Sequence, residues 1–175
     1  GEDDYVSYGA KYAMSIGVST YKRLDVVYRI FKKLQKTNKD LETLYIIGSH
    51  YDGPHMAKLI PECLRLDENV VIKIINQREE LLRLMNGMDY YISASQIENS
   101  SNALLEGLIY SKSVIASDIS SHRELMLGKK YRYFHEQTSG EKFIHYDTVT
   151  EDYLIGSVSW DDAVKEQFLI GVGLS

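Results

Sequence analysis

Cysteine is almost missing from this chain of 175 residues; Cys63 stands alone. A single thiol excludes an internal disulfide and fits a reducing compartment. Long apolar runs are missing too. None approaches the roughly 18 residues needed to span a bilayer, and no leader of charged, apolar and then small residues opens the chain. A basic excess is also lacking. Twenty Lys and Arg stand against 25 Asp and Glu, giving a net charge of −5 and a pI of about 5.5. There is no electrostatic footprint for nucleic acid, so an anionic ligand has to be met by local groups rather than by the global field. Tryptophan occurs once against 14 tyrosines. Most of those phenols read as core rims with wet hydroxyls rather than as sugar-stacking platforms.

The rest is an ordinary globular mixture, 44% hydrophobic and 26% charged, long enough for one domain with a sizeable core. The chain starts at Gly1 rather than Met, so a fragment is expected, with residues 1–10 a leader or interdomain linker. From there, short apolar runs rich in β-formers alternate with segments of helical period. Strands are expected at Tyr12–Ile16, Leu44–Ile47, Val70–Ile75, Tyr90–Ala94 and Ser113–Ala116. Leu24, Val27, Tyr28, Phe31 and Leu34 recur at helical spacing and predict a helix from Leu24 to Thr37, stopped at Asn38. A second helix is expected over Met56–Leu66, interrupted at Pro61. A third spans Arg78–Asn86, with Leu81, Leu82 and Met85 inward and Gly87 as its stop. This grammar predicts an α/β fold, a doubly wound parallel sheet of Rossmann-like type over residues 11–155. After Glu124 the pattern weakens. Tyr131–Phe134 suggests an edge strand, and Ser139–Gly156 resists assignment. Trp160, Val164 and Phe168 suggest a C-terminal helix within 156–175 that packs on the domain.

The chain is organised around Asp89–Glu124. After the strand at Tyr90–Ala94 comes a polar loop, Ser95–Asn102, and then ALLEGLIY, Ala103–Tyr110, apolar almost all round and read as a buried helix. The next strand leads into a second polar loop, Ser117–Arg123. Glu98 lies in the first loop, and Glu106 is the only charged residue between Ala103 and Tyr110. A carboxylate on an apolar helix is costly to bury without a partner or a wet cleft. Ser100, Ser101 and Asn102 offer hydroxyls, an amide and backbone N–H groups at a helix N-terminus, which suits phosphate. Plain N-capping is the bland alternative. Lys22 and Arg23 follow the first strand and its Gly17, where basic side chains can reach a diphosphate.

These residues carry a resemblance. Two glutamates separated by seven residues, within ENSSNALLEG, followed by SKSVIASDISSHREL, look like the nucleotide-sugar-binding half of family-4 retaining glycosyltransferases of GT-B fold. The likeness covers roughly Lys11–Glu124 and returns faintly near Trp160. It implies a C-terminal, donor-binding domain of an enzyme that moves a hexose from a nucleoside diphosphate sugar to an acceptor hydroxyl. It implies that Glu106 accepts hydrogen bonds from ribose and that Glu98 holds the transferred sugar. Lys22, in Tyr21-Lys22-Arg23, then contacts the leaving diphosphate. Arg23 is the substitute for an arginine the family commonly carries just after the strand glycine, where this chain has Val18 and Ser19. Ser100, Ser101, Asn102 and Gly17 complete the donor site. The family often has glycines in the Ser100–Asn102 loop, and their absence here points to a different sugar or pose.

No D-x-D occurs, which disfavours a donor held through a divalent metal, and no cofactor beyond the donor is expected. The acceptor, a glycan, lipid or protein, would belong to a separate N-terminal domain. The resemblance suggests polysaccharide biosynthesis or protein glycosylation in the cytoplasm, with peripheral association at the inner membrane face. The alternative reading is a non-catalytic GT-B-like subunit that scaffolds a partner transferase; a sugar-nucleotide epimerase ranks third. His50, Asp52 and His55 fit no metal-ligand spacing, and Ser19–Lys22 matches S-x-x-K without its companion motifs. Gly48 with Asp52-Gly53-Pro54 loosely resembles the family's glycine-rich turn. His122 and Arg123 follow the fifth strand on the ligand side, and the expectation for them is structural.

Overall fold

A computed structural model describes residues 10–49, 55–98, 102–117, 119–127, 142–148 and 151–157, the last two segments as backbone. Seven strands form one sheet: β1 (Lys11–Ile16), β2 (Leu41–Gly48), β3 (Val70–Ile74), β4 (Tyr90–Ser93), β5 (Ser113–Ser117), β6 (Lys142–Thr148) and β7 (Glu151–Ser157). Their order is β3-β2-β1-β4-β5-β7-β6. The first five run parallel, which is the expected Rossmann-like sheet and is consistent with one half of a GT-B enzyme. Beyond β5 the sheet continues as an antiparallel pair, β7 on β5 and β6 on β7. This pair fills the stretch that resisted sequence assignment. The sequence between the two strands, Val149-Thr150, is β-branched and carries none of the Asn-Gly type signals of a tight hairpin.

Side chains alternate across each parallel strand and sort the core into two layers. Ala13, Ile46, Ile92 and Ile115 point to one face, where Leu24, Val27 and Phe31 of α1 (Leu24–Thr37) and Leu64 cover them. Met14, Ile47, Tyr91 and Val114 point to the other face, against Leu84 and Met85 of α4 (Arg78–Asn86) and Leu104 and Leu108 of α5 (Asn102–Tyr110). Helices on both faces are what make the sheet doubly wound.

Helix boundaries follow local chemistry. Asn38 caps α1 through its backbone N–H to the Leu34 carbonyl at 2.8 Å. Pro61 divides the second helix into α2 (Met56–Leu59) and α3 (Glu62–Leu66), since proline can start a helix but not continue one. In α4 the buried pair is Leu84 and Met85, with Leu81 and Leu82 only partly covered; of the three residues expected inward, Met85 alone is fully buried. The polar loop expected over Ser117–Arg123 is shorter than that. Helix α6 starts at Ser120 and runs to Leu127, with the Arg123 N–H bonded to the Ile119 carbonyl at 2.9 Å. Serines hid this start because they suit a turn and a helix entrance equally. The expected leader, the loop around His50, Asp52, Gly53 and Pro54, the strand at Tyr131–Phe134 and the helix near Trp160 lie outside the described residues. Among the described residues, no helix is long and apolar enough to cross a membrane.

Candidate functional site

The order 3-2-1-4-5 makes the chain leave β1 toward one edge of the sheet and return through β4 toward the other. The crevice at the carboxyl ends of β1 and β4 is therefore the topological switch point, where open α/β sheets bind ligands. Lys22 follows β1 and Glu98 follows β4. Seventy-six residues apart in sequence, they meet here: the Lys22 Nζ donates to Glu98 Oε1, and both side chains are mostly buried. Ser95 Oγ donates to the same carboxylate oxygen at 3.0 Å. The Gln96 N–H bonds to the Tyr21 carbonyl at 2.9 Å, tying the two loops together at the backbone.

Local backbone brings Lys22 to this point. Gly17 ends β1 with φ +99°, and a Cβ there would meet Lys22 Cε at 2.8 Å. The lysine lies across a position that only glycine leaves open. Thr20–Lys22 then forms one 3-10 turn. Arg23 follows with φ +48°, a left-handed conformation that costs a non-glycine residue of order 1 kcal/mol, and α1 begins. The Arg23 guanidinium pairs with Asp25, Nε to Oδ1 at 3.1 Å and a second nitrogen to Oδ2 at 3.2 Å. It holds the Asp25 carboxyl below its usual range, against the opposing effect of burial.

Glu106 is buried on α5, with 5% of its side chain exposed. Arg78, at the start of α4, donates to Glu106 Oε1 at 2.8 Å while itself 53% exposed. One member of the pair is dry and the other wet, so the carboxylate sits just under an accessible surface. Burial pushes the Tyr91 phenol well above its normal range, and the charges of Glu98 and Glu106 both add to the effect. Arg78 opens α4 just past the carboxyl end of β3, so the Glu106 it holds lies toward the same end of the sheet as Glu98. Gly107 makes this possible, because a Cβ there would come within 2.6 Å of the Tyr91 ring. Its absence lets α5 settle on β4 and sets the depth of Glu106.

Glu98, Lys22, Glu106 and Gly17 thus gather at the carboxyl edge, with Arg23 next to Lys22 in sequence but turned to Asp25. Asn102 opens α5, while Ser100 and Ser101 lie outside the described residues. The arrangement offers an amine for a phosphate, two carboxylates that accept hydroxyl hydrogens, and a helix entrance between them.

Comparison with known families decides the broad class. The family described as "Glycosyl transferases group 1" matches residues 10–145. The chain belongs to the group 1 glycosyltransferases. Among curated proteins none matches. Solved structures include TrmK of M. capricolum with S-adenosyl-homocysteine, at 15% identity and a TM-score of 0.40, covering 91% of this chain and 70% of that one. Sp1610 of Streptococcus pneumoniae with S-adenosyl-L-methionine gives 10% identity and a TM-score of 0.38, with 91% and 74% covered. Both scores are too low to bear on fold or function.

Arg78 escaped sequence reasoning, and His122 was foreseen only as a structural residue on the ligand side. Arg78 left a trace: a cation in the first turn of a helix opposes the dipole and needs a reason to be there. His122 left none. It is fully buried on α6, with its Nδ1 against the Ser117 carbonyl, five residues back. Burial holds its imidazole below the usual pKa. The Ser117 backbone and the Glu98 charge work in the opposite direction, and Lys22 adds to the lowering.

Proposed function

We propose that this chain is the donor-binding half of a retaining glycosyltransferase that moves a hexose from a nucleoside diphosphate sugar to an acceptor hydroxyl. The observation that carries the reading is the Lys22–Glu98 contact across the switch point, with Glu106 buried at the same end of the sheet. Glu106 accepts hydrogen bonds from the ribose hydroxyls, which suits a group that only accepts when ionised. The donor's diphosphate competes with Glu98 for Lys22. Once released, Glu98 accepts from hydroxyls of the hexose. Ser100, Ser101 and Asn102 supply donors at the helix entrance, and its dipole shares with Lys22 the work of steadying the departing diphosphate. No D-x-D is present, and these groups take the part a divalent metal plays elsewhere. The acceptor oxygen attacks the anomeric carbon on the face the diphosphate leaves. The acceptor, be it a glycan, lipid or protein, is bound by a second domain, and the work is done in the cytoplasm, at the inner membrane face where the acceptor is lipid-borne.

The Arg23–Asp25 pairing favours one other reading, a non-catalytic subunit with the same architecture, because the substitute phosphate cation is engaged locally. Transfer by the full-length protein, lost on Glu98→Gln or Lys22→Ala, separates the two. For the chain itself, a nucleoside diphosphate at 100 times its dissociation constant stabilises the fold by about 2.7 kcal/mol, or roughly 5–10 °C in melting temperature. Glu106→Gln shrinks that shift. A flat melting profile across uridine, guanosine, adenosine and thymidine diphosphates sinks donor binding altogether.

A further inference from the structure

Buried side-chain polar atoms normally find a partner. Among the described residues three do not: Ser19 Oγ, Ser121 Oγ and His122 Nε2. All three lie past the carboxyl ends of β1 or β5, Ser19 in a loop and the other two in the first turn of α6. A hydroxyl can rotate toward a new neighbour, but an imidazole held at one nitrogen cannot.

His122 is held at Nδ1. That atom lies 3.0 Å from the Ser117 carbonyl oxygen and 3.2 Å from Ser117 Oγ. The Ser117 hydroxyl spends its single hydrogen on the Ser95 carbonyl, at 2.6 Å. Both neighbours of Nδ1 are therefore acceptors, so Nδ1 carries the ring proton. The neutral ring then presents a bare lone pair at Nε2, and a lone pair buried without a donor costs free energy. Through Ser117 and Ser95 the ring is also wired to Glu98, since Ser95 Oγ donates to that carboxylate.

Resting on the donor-site reading above, we infer that His122 Nε2 accepts a hydrogen bond from a hydroxyl of the donor's hexose, making His122 a further sugar-binding residue. The hexose enters when the diphosphate draws Lys22 away from Glu98, and it meets two acceptors joined through Ser117 and Ser95, the freed carboxylate and the imidazole. A hydroxyl donor is the chemistry that fits. A phosphate brings only acceptors at neutral pH and cannot satisfy Nε2. The nucleotide portion, held by Glu106 and Lys22, does not depend on His122.

The test is calorimetric titration of this chain with uridine and guanosine diphosphates, each bare and carrying glucose or mannose. His122→Phe keeps the ring and removes both nitrogens. The expected result is a loss of about 3–10-fold in affinity for the hexose conjugate, with the bare nucleotide unchanged. His122→Gln, which can still present an acceptor, restores part of the loss. In the unaltered chain, the ¹⁵N resonance of Nε2 should sit at the unprotonated position and move on adding the conjugate but not the bare nucleotide. That measurement does not depend on either variant folding. Equal losses for bare and conjugated nucleotide, or an Nε2 signal indifferent to the hexose, overturn the assignment while leaving the donor site standing. If the bare nucleotides fail to bind the unaltered chain, the donor-site reading falls and the role of His122 with it.

Discussion

Single residues set the geometry of this site more than their chemistry suggests. Gly17 is the clearest case. Its φ of +99° and the 2.8 Å approach of Lys22 Cε leave no room for a side chain. Gly17→Ala is expected to cost about 1–2 kcal/mol, from backbone strain and from the shifted lysine. Urea unfolding measures that cost. Because Lys22 is displaced as well, nucleoside diphosphate affinity should fall; unchanged affinity in a folded Gly17→Ala chain would separate Lys22 from the diphosphate. Arg78 and Glu106 form an asymmetric pair of a different kind. The arginine can hydrate when its partner goes, whereas the buried carboxylate cannot. The burden of the pair rests on α5.

Elements are joined by ties of the same sort away from the site. Asp67 follows α3 and binds α1 twice: the Tyr28 hydroxyl donates to Oδ2 at 2.7 Å and Lys32 Nζ donates to it at 3.0 Å. The Asn69 N–H holds Oδ1 at 2.8 Å. Burial opposes ionisation, yet these donors hold the carboxyl below the usual carboxylate range, and the Tyr28 phenol is pushed up to about 12. A carboxyl whose pKa is depressed on folding stabilises the fold above its unfolded pKa. That contribution fades as the pH drops from about 3.8 through the lower folded value. Asp67→Asn is expected to remove roughly 1–3 kcal/mol at neutral pH and to flatten the acid limb of a melting-temperature profile. A variant whose acid limb matches that of the unaltered chain would place the acid sensitivity elsewhere. The element order itself was legible: five strands, the span of α1 and α4, and the break at Pro61 all follow from period and punctuation. The pairing of β6 with β7 did not show, because the sequence between them, Val149-Thr150, carries no turn-forming residues. The start of α6 did not show because serines speak for turn and helix alike.

Across the whole molecule, buried charge divides between the two ends of the sheet. At the carboxyl end lie Lys22, Glu98 and Glu106. At the amino end lies Asp89, which accepts the Tyr12 N–H at 3.0 Å and Lys112 Nζ at 2.9 Å, its carboxylate 7% exposed. It locks the start of β1 to that of β4. Asp89→Asn is expected to lower stability by about 1–3 kcal/mol and to leave nucleoside diphosphate affinity where it was; calorimetry and thermal melting on one sample check both halves. A change in affinity would deny the division. By itself, the sequence determined the parallel core, most helix limits and the lone buried charge of Glu106, because period, punctuation and an isolated charge on an apolar helix are local signals. Only the tertiary structure decided that Lys22 meets Glu98, that Arg78 guards Glu106, that Arg23 turns to Asp25 and that His122 keeps an unused lone pair. Each of those facts depends on where strand order carries distant segments, and local sequence does not encode distance in space.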